Sequence, residues 1–489
     1  MARVALINTF VALHLGTAHL AGMLRAHGHD WITIYLKQYR MRPMDNIGPY
    51  SMSRFAGISA GPRGRLDCWQ TFEPISKKET DILLGLLKDY RIDLVGFSLT
   101  SSAIIEVLEL TRLIRDKLSI PVIWGGMGPT VEPEEFVHHP DLLCIGEGER
   151  ALLDVVEALE QGTQNFSEIQ SIWGVENGTV FRNPPRPLVA DLDELPFPRI
   201  DPEHNHFINE NKLVSNVFPP LLNNVYAITT SRGCPFVCKY CPNSIFRRKF
   251  EGFSRVRKRS VSNVIEELVD ATRKYDLKRV AFYDDVFGTN KKWVDEFAPR
   301  YKREIGLPFW CFMDPRLTDR DNLAKLNDAG LDAVELGIQS GSQRILKDVF
   351  NRNTPREQML RSANILVDLG LDCVFDLLTY VKGETEEDCR ETFDLLVDLP
   401  KELCLVGAGK LIYYPGYDIT LDQETIEKSS MDPELYRYFH RLYHLTRTRI
   451  PRQAVRLMGS LPLFRKYPRL LDPFLSKHYR LPKAFRQML

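Results

Sequence analysis

Twice along this chain, short apolar runs alternate with amphipathic stretches, and that alternation limits the fold more than any other feature. The first series reads RVALIN, LGTAHLAGMLRAHG, WITIYL, ETDILLGLLKDY, DLVGFSL, IIEVLELTRLIRDKL, PVIWGG, DLLCIG and ALLDVVEALEQG. Strand, helix, strand in this order builds a parallel, doubly wound sheet. Ligands of such sheets sit beyond the carboxyl ends of the strands, where strand order reverses. The tips to watch are therefore Asn8-Thr9, Ser98 to Ser101, Gly125 to Pro129 and Gly146 to Glu149.

The second series, VYAITTS, RVAFYDD, PFWCFMD, AVELGIQ, CVFDLLT and AGKLIYY, has a helical segment between each pair. Six such units predict an α/β fold of the open, partial (β/α)6 barrel kind, with reactive residues at the strand ends. A chain of 489 residues is too long for one ordinary core. The expected division is a Rossmann-like domain over 1–165, a connector over 166–223, the barrel over 224–420 and a basic helical C-terminal appendage over 421–489. The connector carries a hairpin signal at Glu176-Asn177-Gly178 and then a Pro-punctuated stretch. Between Met41 and Lys77 periodicity lapses into a long surface excursion.

Lys plus Arg and Asp plus Glu balance at 64 each, so no global field argues for nucleic acid or an acidic partner. No run approaches the roughly 18 uncharged apolar residues of a membrane span. MARVALINTF lacks a small-residue cleavage site and reads as a first strand, so a cytosolic protein is expected. Nine scattered cysteines argue against a disulfide framework.

Three of those cysteines do cluster. TTSRGCPFVCKYCPNS sets Cys234, Cys238 and Cys241 as CxxxCxxC just past a predicted strand. Thiolates suit soft metals and iron-sulfur clusters. A four-iron cluster takes one ligand per iron, so three cysteines leave one iron open to a chelating small molecule. A structural zinc site is the competing reading. It needs four ligands; no matching second cysteine pair is present, and His204 and His206 upstream would have to complete the set. Cys68, Cys144, Cys311, Cys373, Cys389 and Cys404 lie in apolar strands or helices and read as packing residues.

The cysteine segment, with Tyr240 before its third cysteine, resembles the radical S-adenosylmethionine (SAM) superfamily, and the likeness runs from about Tyr226 to Ile419. The resemblance implies a 4Fe-4S cluster on Cys234, Cys238 and Cys241 and SAM on its open iron. It further implies contacts to SAM or substrate from Tyr240, from Asp284 and Asp285 in AFYDDVF, from Arg316 in PFWCFMDPR, and from Glu335, Gln339 and Ser340 in ELGIQSGS. A single acid or amide at a strand end is more often a helix cap, and only joint placement favours function. KGETEED has Lys382 where the family usually has proline, and Tyr413, Tyr414, Pro415 and Gly416 resemble the family's final PG turn.

IPVIWGGMGPTVEPEEF and DLLCIGEGE, with DLVGFSLTSS, resemble the cobalamin-binding domain that precedes the barrel in one large class of that superfamily. The resemblance places the cofactor near Asn8, Ser98, Thr100, Ser101, Gly125, Gly126 and Glu147. Glycines there let backbone approach a flat ligand, and the hydroxyls face its amide rim. The alternative is that they only serve tight turns. The DxHxxG motif that brings histidine to cobalt is absent. No GxGxxG opens the first helix, so a dinucleotide is not expected.

The last sixty or so residues interleave Arg, Lys and aromatics with Leu. Three readings stay open: a helical cap with a solvated basic face, a membrane-surface contact near a lipid-like substrate, and a nucleic-acid grip. The expected activity is cobalamin-dependent methyl transfer to an unactivated carbon of a small molecule, with a reducing partner such as flavodoxin or ferredoxin. Rearrangement or ring closure without methyl transfer is the enzymatic alternative, and an electron-transfer or scaffold protein the non-enzymatic one.

Overall fold

The computed structural model describes residues 1–9, 15–37, 40–43, 68–71, 74–99, 104–163, 165–216, 224–401, 404–414, 416–422 and 433–478. Of the residues singled out above, Thr100, Ser101 and Pro415 lie outside them.

The front sheet is built from β1 (Arg3–Thr9), β2 (Asp30–Leu36), β5 (Leu94–Leu99), β6 (Val122–Gly126), β7 (Leu142–Cys144), β8 (Ile172–Glu176), β9 (Thr179–Arg182), β10 (Asn205–Asn209) and β11 (Lys212–Ser215). Between β2 and β5, two further strands, β3 (Arg40–Pro43) and β4 (Cys68–Thr71), pair antiparallel at the two ends of the 41–77 excursion. The front order is β11-β10-β2-β1-β5-β6-β7-β8-β9. From β1 the chain steps one way to β2 and the other way to β5, both parallel to it. The crevice thus opens where Asn8 and Ser98 end their strands, as the doubly wound pattern requires. β1 and β2 are buried along nearly their whole length, which explains their unbroken apolar character.

The stretch expected as a connector supplies both margins of this sheet. β8 and β9 form the hairpin around Asn177 and Gly178 and extend one edge antiparallel from β7. β10 then joins the opposite edge, parallel to β2, with Asn205 opposite Thr33.

The second sheet is β12 (Val225–Ile228), β15 (Arg279–Phe282), β16 (Phe309–Met313), β17 (Leu331–Gln339), β18 (Asp372–Thr379) and β19 (Cys404–Lys410), side by side in that order. Every neighbouring pair is parallel, and β12 and β19 remain edges, so the barrel is partial. Local signals set the helices between: Ser260, Asn290 and Asp319 cap three of them through side-chain oxygens, and Thr385 with Asp388 forms a capping box. Beneath β15 an aromatic core gathers Phe282, Phe287, Phe297, Tyr301 and Phe309, all at most 2% exposed. Phe282 and Phe287 sit 4.6 Å apart.

Helix Pro433–Leu445 follows the barrel and packs on it. Tyr436 Oη donates to Glu384 at 2.8 Å, and Arg447 reaches the Pro400 carbonyl at 2.5 Å.

Candidate active site between the two sheets

The loop after β12 carries the three cysteines, and its backbone is held from several sides. Ser231 and Arg232, forming the short strand β13, pair antiparallel with Arg257 and Lys258 of β14. Gly233 has φ +96°, and a Cβ there would stand 3.0 Å from the Phe253 carbonyl oxygen, so no other residue fits the approach to Cys234. Arg247 donates to the carbonyls of Cys234 and Phe236 at 3.0 and 3.2 Å. Asn351 Nδ2 donates to the Val237 carbonyl at 3.1 Å.

Burial pushes the Cys234 thiol up to about 11, and Asp285 and Cys238 add to the rise. Burial likewise raises Cys241, which also senses Asp285, Cys238 and Cys234. At Cys234 and Cys241 a bare thiolate is therefore unfavourable, and a bound cation would reverse that. Among the described residues no three His, Cys, Asp or Glu side chains are grouped as a single metal ion would need. A four-iron cluster places each thiolate on a separate iron, whereas a structural zinc ion asks for four ligands around one centre. His204 stacks on Trp31 at 3.9 Å, and His206 pairs with Ser215 at 2.8 Å on β10, so both histidines belong to the front sheet and complete no zinc site.

The other strand ends of the barrel divide into two groups. One faces inward. Asp285 lines the main cavity, and its carboxyl is raised by burial. Burial, then Asp376, lifts Glu335 up to about 8. Asp376 itself is pushed up to about 6 by burial, opposed by Gln339 and Arg352. Gln339, at φ +69°, donates to Asp376 at 3.3 Å, and its buried Oε1 has no partner among the described residues.

The second group makes its contacts within the protein. Asp284 accepts from the Thr230 backbone at 3.0 Å, from Thr230 Oγ1 at 2.7 Å and from Ser231 Oγ, so it pins the cysteine loop. Arg316 forks onto Asp314 at 2.8 and 2.7 Å and lies 3.3 Å over the Phe236 ring. Ser340 is turned into the helix packing: its hydroxyl meets Thr392 at 3.3 Å and accepts from the Ser342 backbone at 3.1 Å. A strand end offers a residue to the lumen or to the flanking helix, and spacing alone does not say which.

Tyr240 stands edge-on to Phe350 at 4.8 Å. Its hydroxyl lies 3.4 Å from Arg352 Nη1, which is also 3.9 Å from Cys238 Sγ. Arg352 further pairs with Asp314 at 2.9 Å and donates to the Gly337 carbonyl. Sequence reasoning missed both Arg352 and Asp314. Asp314 sits two residues from Arg316 in MDPR and was within reach, whereas Arg352 lies in a loop with no motif around it.

One cavity of about 410 Å³ brings the two sheets together. From the front sheet come Ser98, Gly125, Gly126 and the Gly146 to Glu149 turn; from the second come Ser231, Arg232, Gly233, Asn243, Tyr283 and Asp285. Gly126 has φ +97°, and a Cβ there would stand 2.9 Å from the Leu99 carbonyl oxygen. Asn8, at the end of β1, accepts from the cavity-lining Thr17 at 3.2 Å, and its buried Nδ2 has no partner among the described residues.

Glu147, on the cavity wall, is held by several partners. Arg257 forks onto it at 2.8 and 3.1 Å, Arg232 approaches at 3.2 Å, and the Val189 backbone donates at 2.9 Å. Glu149 takes the other arm of Arg232 at 2.5 Å. Burial works to raise Glu149, but the Arg232 guanidinium outweighs it and holds the carboxyl at about 2. Beside them burial, then Arg232, holds the cavity-wall His19 down at about 3, a neutral imidazole that no motif announces.

The profile of the radical SAM superfamily matches residues 228–396, and that of the B12 binding domain matches residues 74–156. An uncharacterised methyltransferase of Pyrococcus horikoshii is 30% identical over 66% of this chain and 66% of its own length. The anaerobic magnesium-protoporphyrin IX monomethyl ester cyclase of Rubrivivax gelatinosus is 27% identical over 71% of this chain and 61% of its own. The chain thus spans about two thirds or less of these relatives. Among solved structures, the radical SAM methyltransferase TsrM of Kitasatospora setae, with tryptophan and a SAM analogue bound, superposes with a TM-score of 0.62 at 16% identity, covering 86% of this chain and 76% of its own.

The chain belongs to the radical SAM superfamily, in the class with a B12-binding domain ahead of the radical SAM domain. A 4Fe-4S cluster, SAM and cobalamin are the cofactors of that class, and the residues present fit them: three unpaired cysteines, buried amide atoms at Gln339 and Asn8 awaiting a partner, and a glycine-lined crevice. Among the described residues no helix is long and apolar enough to cross a membrane.

Proposed function

We propose that this chain reductively cleaves SAM and transfers a methyl group to an unactivated carbon of a small molecule. The support is one cavity bounded jointly by the glycine-lined edge of the front sheet and by the loop that leads into Cys234. Bound there, the cluster would supply the electron, SAM the carbon radical and the methyl group, and cobalamin the methyl carrier.

The chain's own residues position and shield. Cys234, Cys238 and Cys241 hold the cluster, with Arg247 and Asn351 fixing their loop. Gln339 and Asp376, on adjacent barrel strands, offer hydrogen bonds to SAM, and Glu335 with Tyr283 stands toward the substrate. Gly125, Gly126 and Ser98 admit the corrin, while Arg232 and Arg257 lock Glu147 and Glu149 and so close the seam against water. In this scheme residues 1–165, margined by strands from 166–223, hold cobalamin, 224–420 generate the radical, and 421–489 cap the barrel. The working compartment is the reducing cytosol, with a flavodoxin or ferredoxin as electron donor. A lipid-like substrate, reached with the basic C-terminal region against a membrane, is consistent with the composition of that region.

The test is anaerobic reconstitution with iron and sulfide, then dithionite, SAM and cobalamin, assaying 5'-deoxyadenosine together with S-adenosylhomocysteine. Both products, with deoxyadenosine lost in Cys238→Ala, are expected. Deoxyadenosine alone in the presence of substrate would replace methyl transfer with rearrangement or ring closure. Neither product, with a cluster that SAM does not perturb, would leave a scaffold or electron carrier.

A further inference from the structure

Residues 457–474 hold six of the sixteen large apolar side chains exposed among the described residues. They are Leu457, Leu461, Leu463, Tyr467, Leu470 and Phe474, between 37% and 60% exposed. The segment is nonetheless firmly seated. In helix Arg452–Ser460 the buried face is Val455, Met458 and Gly459, and Tyr438 Oη donates to the Gly459 carbonyl at 2.8 Å. Helices Pro462–Lys466 and Asp472–His478 touch through Phe464 and Phe474, 6.4 Å apart. The leucines therefore stand outward from a platform fixed to the barrel, which a soluble surface does not need.

The charge around them has one sign. Between Arg449 and His478 the only acid is Asp472, and Arg441 neutralises it at 2.6 Å. Arg456 and Arg465 are tied to Asp398 and Glu386 of the barrel, whereas Arg449, Lys466 and Arg469 make no ion pair among the described residues. An isologous contact with a second copy would bring these like charges together. Nucleic-acid surfaces stack bases on aromatic rings, and here the outward side chains are mostly leucine. A layer with acyl chains beneath anionic headgroups matches both the leucines and the cations.

We propose that this surface docks on an anionic lipid membrane, with Leu457, Leu463, Tyr467 and Leu470 entering the interface and Lys466 and Arg469 on the headgroups. The proposal rests on the membrane reading of the C-terminal region given above, not on the radical chemistry. The test is co-sedimentation of the full chain with vesicles of phosphatidylcholine alone or with added phosphatidylglycerol. Binding is expected only with phosphatidylglycerol and weakens with salt. Leu463→Ser with Leu470→Ser, and separately Lys466→Gln with Arg469→Gln, each lower partitioning by about tenfold or more. Circular dichroism and deoxyadenosine formation stay as in the parent, so loss of binding is not loss of fold. Four outcomes overturn it: no binding to either vesicle, equal binding to both, variants that bind like the parent, or a dimer in light scattering that the serine variant dissolves. Tighter capture of single-stranded DNA than of vesicles, lost in the glutamine variant, would also replace it. A protein that makes no deoxyadenosine yet binds vesicles refutes only the catalytic reading.

Discussion

Arg232, two residues before Cys234, reaches across the seam to Glu149 at 2.5 Å and to Glu147 at 3.2 Å, so the cysteine loop of one sheet is fastened to the strand-end edge of the other. Removing one partner of a mostly buried pair leaves a charge without compensation. Arg232→Met is expected to cost about 3 kcal/mol or more in thermal or urea unfolding. Adding Glu149→Gln should recover part of the loss. A double variant as unstable as the sum of the singles would show that the two do not act on each other.

Glu335 responds to pH in the opposite sense from Glu149. Burial and then Asp376 hold its folded value at about 8, against about 4.3 in an unfolded chain. The folded state keeps this proton longer, so the stability it gives is complete below about pH 4 and is lost as pH rises toward 8. Glu335→Gln cannot ionise, and its thermal midpoint should fall less than the parent's between about pH 5 and 8. Glu149, held at about 2, contributes stability above the ordinary carboxylate range and loses it as pH falls through 2. Equal slopes for parent and Glu335→Gln would contradict the first half of this account.

At Gly126 an alanine meets both a left-handed backbone, φ +97°, and the Leu99 carbonyl at 2.9 Å. Gly126→Ala should cost about 1–2 kcal/mol in stability and weaken cobalamin binding, followed by the corrin absorbance, by about tenfold or more. Gly85→Ala, in helix Lys77–Asp89 with open space around its Cβ, is the control and should leave binding unchanged.

Arg352 points a guanidinium at Cys238 Sγ from 3.9 Å. Hydrogen bonds and positive charge at a ligating sulfur stabilise the reduced cluster. An EPR-monitored redox titration of Arg352→Gln should therefore find a more negative midpoint than in the parent, and an unchanged midpoint would assign Arg352 to packing around Asp314 alone.

Much of this was legible in the sequence because parallel β/α units write themselves locally: the period of each helix and the apolar run of each strand lie within one unit. The cysteine loop and the tips Gly125, Gly126 and Asp285 follow from that frame, since they are the residues just past predicted strands. What sequence hid is relational. Nothing in HNHFIN says that Asn205 will lie opposite Thr33, because the partner is more than a hundred residues away. Arg352, Arg257 and His19 are single residues delivered by loops and helix faces, with no spacing to announce them. Ser340 and Arg316 were placed at the right strand ends, but whether such a side chain turns to the lumen or to its neighbour depends on packing that no motif encodes.

The front sheet is belted by its own exit path: after β9 on one margin the chain runs to β10 on the other before entering the barrel. Anyone cutting the cobalamin unit free at residue 165 would strip both borders and leave β2 and β7 as raw edges, an invitation to aggregate. A cut after Ser215 keeps both margins of the sheet, well beyond the stretch, 74–156, that the B12-binding profile matches.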